Sequence, residues 1–225
     1  MDFDPLFIRN GLIIMIVLIV SIAFHEWGHA IVADLLGDDT PRADGRVTLN
    51  PMAHIDLIGT VLIPAINIFV FRGGFTFIGW GKPVSINTSN FRHRKRDEII
   101  VTMAGPAANL LVALAAAVIG SLIVVAQPRV GELVRGLIVM NVGLAIFNLL
   151  PIPPLDGGTL LRHAAGMSDE TFLNISRYSG IFLLVLINIQ VFQQVIGAVI
   201  GLALIPYVVI GGWINPSAMA LIFHP

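Results

Sequence analysis

The sequence predicts an all-α polytopic membrane protein of about five or six transmembrane helices, with a small membrane-associated β or re-entrant segment. Three observations carry this expectation. Of the 225 residues, 56% are hydrophobic and 12% charged, where an ordinary soluble domain carries about 25% charged residues, and mean hydropathy is +0.88. The apolar residues lie in long uncharged runs: residues 11–24 hold no charge, and no Asp, Glu, Lys or Arg occurs from Tyr178 to the end. One apolar run, 55–71, has Pro64 at its centre. A missing backbone donor mid-run points to a kinked helix or a re-entrant loop.

The first run continues past its only charged interruption. As a helix, residues 11–33 would be about 34 Å long, enough to cross a bilayer. Within it lies His25-Glu26-Trp27-Gly28-His29. Positions four apart on a helix fall about 40° apart and about 6 Å along the axis, so His25 and His29 share a face. Two imidazoles so placed can hold one metal ion, with Glu26 within reach of a water on it. H-E-x-x-H on a helix is a zinc metalloprotease signature. Ionisable groups inside a span are expensive and generally functional, yet the same five residues occur by chance in soluble helices.

A polar loop, 38–51, follows, and then the run 55–71. Residues 73–87 alternate in part (Phe75, Phe77) and are punctuated by Gly79, Gly81 and Pro83, the pattern of a strand or hairpin. Arg92-His93-Arg94-Lys95-Arg96 reads as a membrane-surface anchor under the positive-inside rule, in preference to a nucleic-acid site. The span 99–126 opens with Ala104-Gly105-Pro106-Ala107-Ala108-Asn109, whose small residues allow close helix contact. The span 133–150 ends in Asn148-Leu149-Leu150-Pro151-Ile152-Pro153-Pro154-Leu155-Asp156-Gly157-Gly158. Residues 171–190 and 195–213 read as the last two spans. With no cysteine in the chain, a transition metal must use His, Asp or Glu.

Asp156 is the only acidic residue between Glu132 and Asp169. Two histidines and one carboxylate leave an open position for water, the pattern of catalytic zinc. Alternatively, Asp156 simply caps a helix beginning at Gly157.

The three motifs together resemble the site-2 proteases, peptidase family M50. They are His25-Glu26-x-x-His29 in an early span, Ala104 to Asn109 opening a middle span, and Asn148-x-x-Pro151-x-x-x-x-Asp156-Gly157 closing a later one. The resemblance covers roughly residues 20–165 and is to the short branch without a PDZ or other soluble domain. It implies one zinc bound by His25, His29 and Asp156, Glu26 as general base, and Asn148 along the substrate. It also implies hydrolysis of peptide bonds in or near transmembrane segments of membrane-protein substrates. The expected organisation is a single integral-membrane protease domain, 1–225, with a catalytic core of about 8–165 and C-terminal helices at about 171–223. The expected location is a prokaryotic plasma membrane, with the lipid bilayer as surroundings and no nucleic-acid partner; oligomeric state is open.

Two rival functions use the same ligands: a membrane metal transporter or metal-binding protein, and an inactive scaffold that grips transmembrane helices. No paired halves of related hydropathy favour transport, and an intact base argues against the scaffold. His54 and Asp56 form a second polar pair, read as interfacial anchors or helix caps in preference to an auxiliary metal site. His163 is expected at the interface, and Trp27 as a packing or lipid-facing aromatic. For His25, His29 and Asp156 to meet at one depth, the first span and the span 133–150 must run parallel. Residues 55–71 are therefore expected to dip into the membrane and return, with the N-terminus outside and the site toward the cytoplasm.

Overall fold

The computed structural model describes residues 4–72 and 79–223. Helix α1 (Pro5–Leu35) starts beneath the Asp4 carboxylate, which accepts from the Leu6 amide at 3.0 Å, with Pro5 in the first turn where no donor is needed. Its 31 residues extend about 47 Å. It ends where Gly37 takes a φ of 104°, a conformation that side chains resist. Short α2 (Thr40–Ala43) follows. Asp56 then caps a wide-turned helical stretch, Leu57–Leu62, by accepting from Ile58 and Gly59 amides at 3.0 and 2.7 Å, and that stretch runs into α3 (Ile63–Phe69). The remaining helices are α4 (Arg94–Ile123), α5 (Gly131–Asn148), α6 (Asp156–Ala165), α7 (Asp169–Leu186), α8 (Gln190–Ile214) and α9 (Pro216–Phe223).

The chain is an all-α multi-pass membrane protein. Among the described residues, four helices are long and apolar enough to cross a membrane: α1, α4, α5 with its lead-in turn, and α8; Leu57–Phe69 is a shorter apolar one. The span expected at 171–190 is α7, which is not among the four. Asp169, Glu170 and Arg177 all fall within its 18 residues. The span expected at 195–213 lies inside α8.

Helix α4 is the central post, packed against α1 on one side and α5 and α8 on others. Gly28 makes the α1 contact possible, since a Cβ there would sit 2.6 Å from the Ala104 carbonyl oxygen. Small residues bring membrane helices into backbone contact in this way. Ala113, Ala117, Val134, Ile138, Val142 and Ile222 form the main apolar core between α4, α5 and α9. Outward faces of α7 and α8 stay apolar, with Ile181, Leu202 and Trp213 exposed, as lipid contact allows. Arg9 of α1 meets Glu132 of α5 at 2.7 Å, so the two helices start at the same end of the bundle and run parallel.

The polypeptide between α1 and α4 leaves and returns to one place. Buried Asp38, just past α1, accepts from the Asn87 amide and from Asn90 Nδ2, both at 2.8 Å, and from Thr40 Oγ1 at 2.6 Å. Burial alone would raise its pKa, but these donors outweigh burial and hold the carboxyl below its usual range.

No strand forms among the described residues. Of the hairpin or strand expected at 73–87, residues 73–78 lie outside the described residues, and 79–87 are irregular. The reason is where the alternate backbone groups go. The Trp80 amide donates to Gly59 O at 3.3 Å, the Lys82 amide to His54 O at 2.9 Å, and the Val84 amide to Glu26 Oε2 at 3.2 Å. One edge of this strap is thus consumed by a helix, a loop and a carboxylate, none of which continues a ladder.

Candidate metal centre

Three side chains converge from two helices. His25 and His29 lie one turn apart on the inner face of α1, and Asp156 is in the first turn of α6. The Pro151–Pro154 segment links α5 to α6, and Pro154 and Leu155 line the cavity beside Asp156. His25 Nε2 and His29 Nε2 are 3.1 Å apart. Asp156 Oδ2 lies 3.3 Å from His25 Nε2, and Oδ1 lies 3.4 Å from His29 Nε2. Among the described residues this is the one group of three or more such side chains spaced to hold a metal.

The donor set fits zinc on three counts. An ion with tetrahedral bonds of about 2.0–2.2 Å places its donors about 3.3–3.6 Å apart, close to the three spacings found. The far ring nitrogens are also engaged: His25 Nδ1 donates to Asn109 Oδ1 at 2.7 Å, and His29 Nδ1 to the Val101 carbonyl at 2.8 Å. Each Nε2 is then a bare lone pair facing the carboxylate, the usual arrangement around a metal-binding histidine. Asp156 Oδ2 is buried and makes no hydrogen bond, an orphaned acceptor that a cation would satisfy.

Gly105 forms the floor. A Cβ there would lie 2.2 Å from His29 Nε2 and 2.8 Å from His25 Cε1, so only glycine lets α4 pass under both rings.

Glu26 sits beside the two histidines, half-buried, with Oε2 accepting from Val84 N–H. Behind it is Arg46, 4% exposed, whose Nη2 is 4.0 Å from Glu26 Oε2. Arg46 also donates to the Lys82 carbonyl, and its Nε has no hydrogen-bond partner. A cavity of about 600 Å³ opens over the site, lined by Glu26, Asp156, Asn148 and the strap residues Trp80, Pro83 and Val84 among others.

Every site residue expected from the sequence thus lies at one cavity. Asn148 is on its wall, with Nδ2 donating to Leu144 O within α5 at 2.9 Å. Asp156 is inside its helix, not before it: Leu155 occupies the cap position. His54 and Asp56 are apart from the centre. Asp56 is a cap, and His54 Nε2 donates to Thr48 O at 2.8 Å. His163 pairs with Glu98 at 3.1 Å next to Arg162, which bridges Glu98 and Asp169 and ties α6 and α7 to α4. Sequence reading missed Asn109 as a partner of His25, and it missed Asn141, buried beside Asn109. The available signal was an amide inside each of two apolar spans, Asn109 in one and Asn141 in the other.

The Peptidase family M50 model matches residues 123–187, a stretch holding Asn148 and Asp156. YwhC of Bacillus subtilis, whose name describes a zinc metalloprotease, is 38% identical over 161 residues, 66% of this chain and 67% of its own length. The chain belongs to the site-2 proteases, peptidase family M50. Two further relatives carry the zinc metalloprotease name Rip2. That of Mycolicibacterium smegmatis is 33% identical over 64% of this chain and 54% of its own. That of Mycobacterium tuberculosis strain H37Rv is 29% identical over 78% of this chain and 67% of its own. The chain therefore spans about two thirds of two of these relatives and about half of the third. No solved structure matches it. Family membership makes the protein a metalloprotease, and zinc is the metal that membership and the donor set together imply.

Proposed function

We propose that this M50 protein is an intramembrane zinc endopeptidase that cuts peptide bonds in or near transmembrane segments of membrane-protein substrates. The observation that carries the reading is the convergence of His25, His29 and Asp156 with Glu26 at one cavity, on a helix long enough to span the bilayer. His25, His29 and Asp156 hold the metal. When bound there, zinc supplies a Lewis acid that brings the pKa of water to about 7 and polarises a carbonyl.

Glu26 is the general base. It takes a proton from the attacking water and passes it to the leaving amine, so that water and peptide become a carboxylate and an amine. The Val84 amide and the Arg46 guanidinium fix its carboxylate toward the cavity. A helical substrate hides its carbonyls in i to i−4 bonds and must unwind before attack. The strap 79–87 supports a place to receive it. Its 80, 82 and 84 edge is bonded to the protein, whereas the Gly81 and Ser85 amides make no hydrogen bond among the described residues. An extended substrate can add along that edge by β-augmentation, with Asn148 bonding its backbone from the opposite wall.

The proposal treats 1–225 as one protease domain, with the catalytic core at about 8–165 and α7 to α9 as a C-terminal addition. It places the protein in the plasma membrane of a prokaryotic cell, with the site toward the cytoplasm. The test is purified protein assayed for zinc and for cleavage of a membrane-embedded substrate. Wild type should hold about one zinc and cut; Asp156→Ala should lose both. Full zinc and full cleavage in Asp156→Ala would end the ligand assignment.

A further inference from the structure

Three fully buried polar side chains meet in the membrane interior: Ser21 of α1, Asn109 of α4 and Asn141 of α5. Their hydrogen bonds leave no freedom in either amide. Asn141 Nδ2 donates to the Leu137 carbonyl and to Ser21 Oγ, both at 2.8 Å. Its Oδ1 therefore faces Asn109 and accepts from Asn109 Nδ2 at 2.8 Å. Asn109 Nδ2 spends its second proton on the Ser21 carbonyl at 3.0 Å. Both amide groups are thus anchored on backbone carbonyls, which can only accept.

The consequence reaches the metal site. With both Asn109 protons committed, its Oδ1 is the atom left facing His25, at 2.7 Å from Nδ1. An oxygen there demands a proton on Nδ1. In neutral imidazole that leaves Nε2 bare and aimed at Asp156. Turning the Asn109 amide over would set its oxygen against the Ser21 carbonyl and Asn141 Oδ1. It would also present NH2 to His25 and select the tautomer whose Nε2 carries hydrogen and cannot bind metal.

We propose that Asn109 and Asn141 are positioning residues that lock His25 in its Nδ1–H tautomer, so that the site is ready for zinc before zinc arrives. The proposal rests on the metalloprotease reading of the centre. Asn141 makes no hydrogen bond to His25, His29 or Asp156; it acts through Asn109. His29 is held separately, by the Val101 carbonyl, and does not depend on the amide pair. A purely structural role for the asparagines would disturb both histidines or neither; the relay singles out His25.

The test uses the full chain in detergent, with Asn109→Leu and Asn141→Leu as variants of similar volume. Zinc retention is measured against a graded chelator. Ring tautomers are read from 15N-histidine spectra after zinc removal, with His25 and His29 assigned by single replacement. Asn109→Leu should weaken zinc retention about 10- to 100-fold, the range for losing an outer partner of a ligand. His25 should lose its Nδ1–H preference while His29 keeps its own. Asn141→Leu should give a smaller shift of the same kind, since Ser21 O still anchors Asn109. The proposal is overturned if His25 stays Nδ1–H in Asn109→Leu, if zinc retention is unchanged, or if His29 shifts together with His25. Should wild type hold no zinc, the metalloprotease reading fails on that result, and the tautomer spectra still decide the relay.

Discussion

The Val84 backbone amide donates to Glu26 Oε2 across 3.2 Å, tying the candidate base on α1 to the irregular strap that roofs the cavity. Glutamine at position 26 keeps a carbonyl oxygen for Val84 but cannot take a proton. Glu26→Gln should therefore retain zinc at the wild-type level and lose cleavage by about 10²- to 10⁴-fold, the usual contribution of a general base. Zinc content and turnover measured on one preparation separate the two effects. A Glu26→Gln protein that cuts at the wild-type rate would remove Glu26 from the mechanism.

Gly105 gives a different prediction, because it binds nothing. A methyl group there would have to share space with His29 Nε2 at 2.2 Å, so the ring must swing out of the donor set. Gly105→Ala should lose most of its zinc while keeping the helix content of wild type by circular dichroism. Overpacking a tight contact costs about 1–3 kcal/mol, enough to displace a ring without unfolding a bundle. Normal zinc retention in Gly105→Ala would show that α4 can move away at little cost.

Much of this centre was legible in the chain. The i, i+4 spacing alone put His25 and His29 on one face, and the family resemblance singled out the later Asp156 after a proline run as their candidate partner; its carboxylate lies within 3.4 Å of both rings. The Ala104 to Asn109 segment announced a close helix contact, and Gly28 against Ala104 is that contact. The partners of Asn109 and Asn141 were not legible. A lone amide in an apolar span signals a buried bond, but nothing local says which of several helices supplies the acceptor. Over residues 79–87 the strand expectation met the same limit. Local alternation reports which residues extend, while the partners that decide strand or strap, here Gly59, His54 and Glu26, are far along the sequence. Helix α7 shows a third kind of limit. Its hydropathy comes from its C-terminal half, and Asp169 in its first turn belongs to the salt-bridge cluster with Arg162 and Arg94.

His54 makes stability depend on pH. It is fully buried, and burial, assisted by nearby Arg46, pushes its pKa below the ordinary 6.5 despite the Thr48 carbonyl and Glu26. The folded protein thus holds a neutral ring that the unfolded chain protonates more readily. Its contribution is complete above about pH 6.5 and is lost as pH falls through the folded-state value. Apparent unfolding temperatures of wild type and His54→Gln in detergent, compared from pH 7.5 to 5.5, should converge as pH falls. A gap that stays constant over that range would show that His54 does not titrate there.

The last prediction concerns membrane topology. Arg9 and Glu132 join the starts of α1 and α5 at 2.7 Å, while His25 in the C-terminal half of α1 meets Asp156, in the first turn of α6 just beyond α5, at 3.3 Å. Parallel α1 and α5 require that the chain between them cross the membrane once in net, and α4 alone is long enough to do it. The excursion from 38 to 90 must then make no net crossing. Its geometry agrees: Asp38 at the exit of α1 bonds Asn87 and Asn90 at the entrance of α4, so both ends sit at one depth. The apolar piece between them, Leu57–Phe69, is about 20 Å long if fully helical, short of the roughly 30 Å of hydrocarbon. Single cysteines at Asp44 and Asn90, in this cysteine-free chain, should label with an impermeant reagent from the same side of the membrane. A cysteine at Arg129, in the turn between α4 and α5, should label from the other. Labelling of positions 44 and 90 from opposite sides would mean that residues 55–71 cross, and parallel α1 and α5 would have to be abandoned.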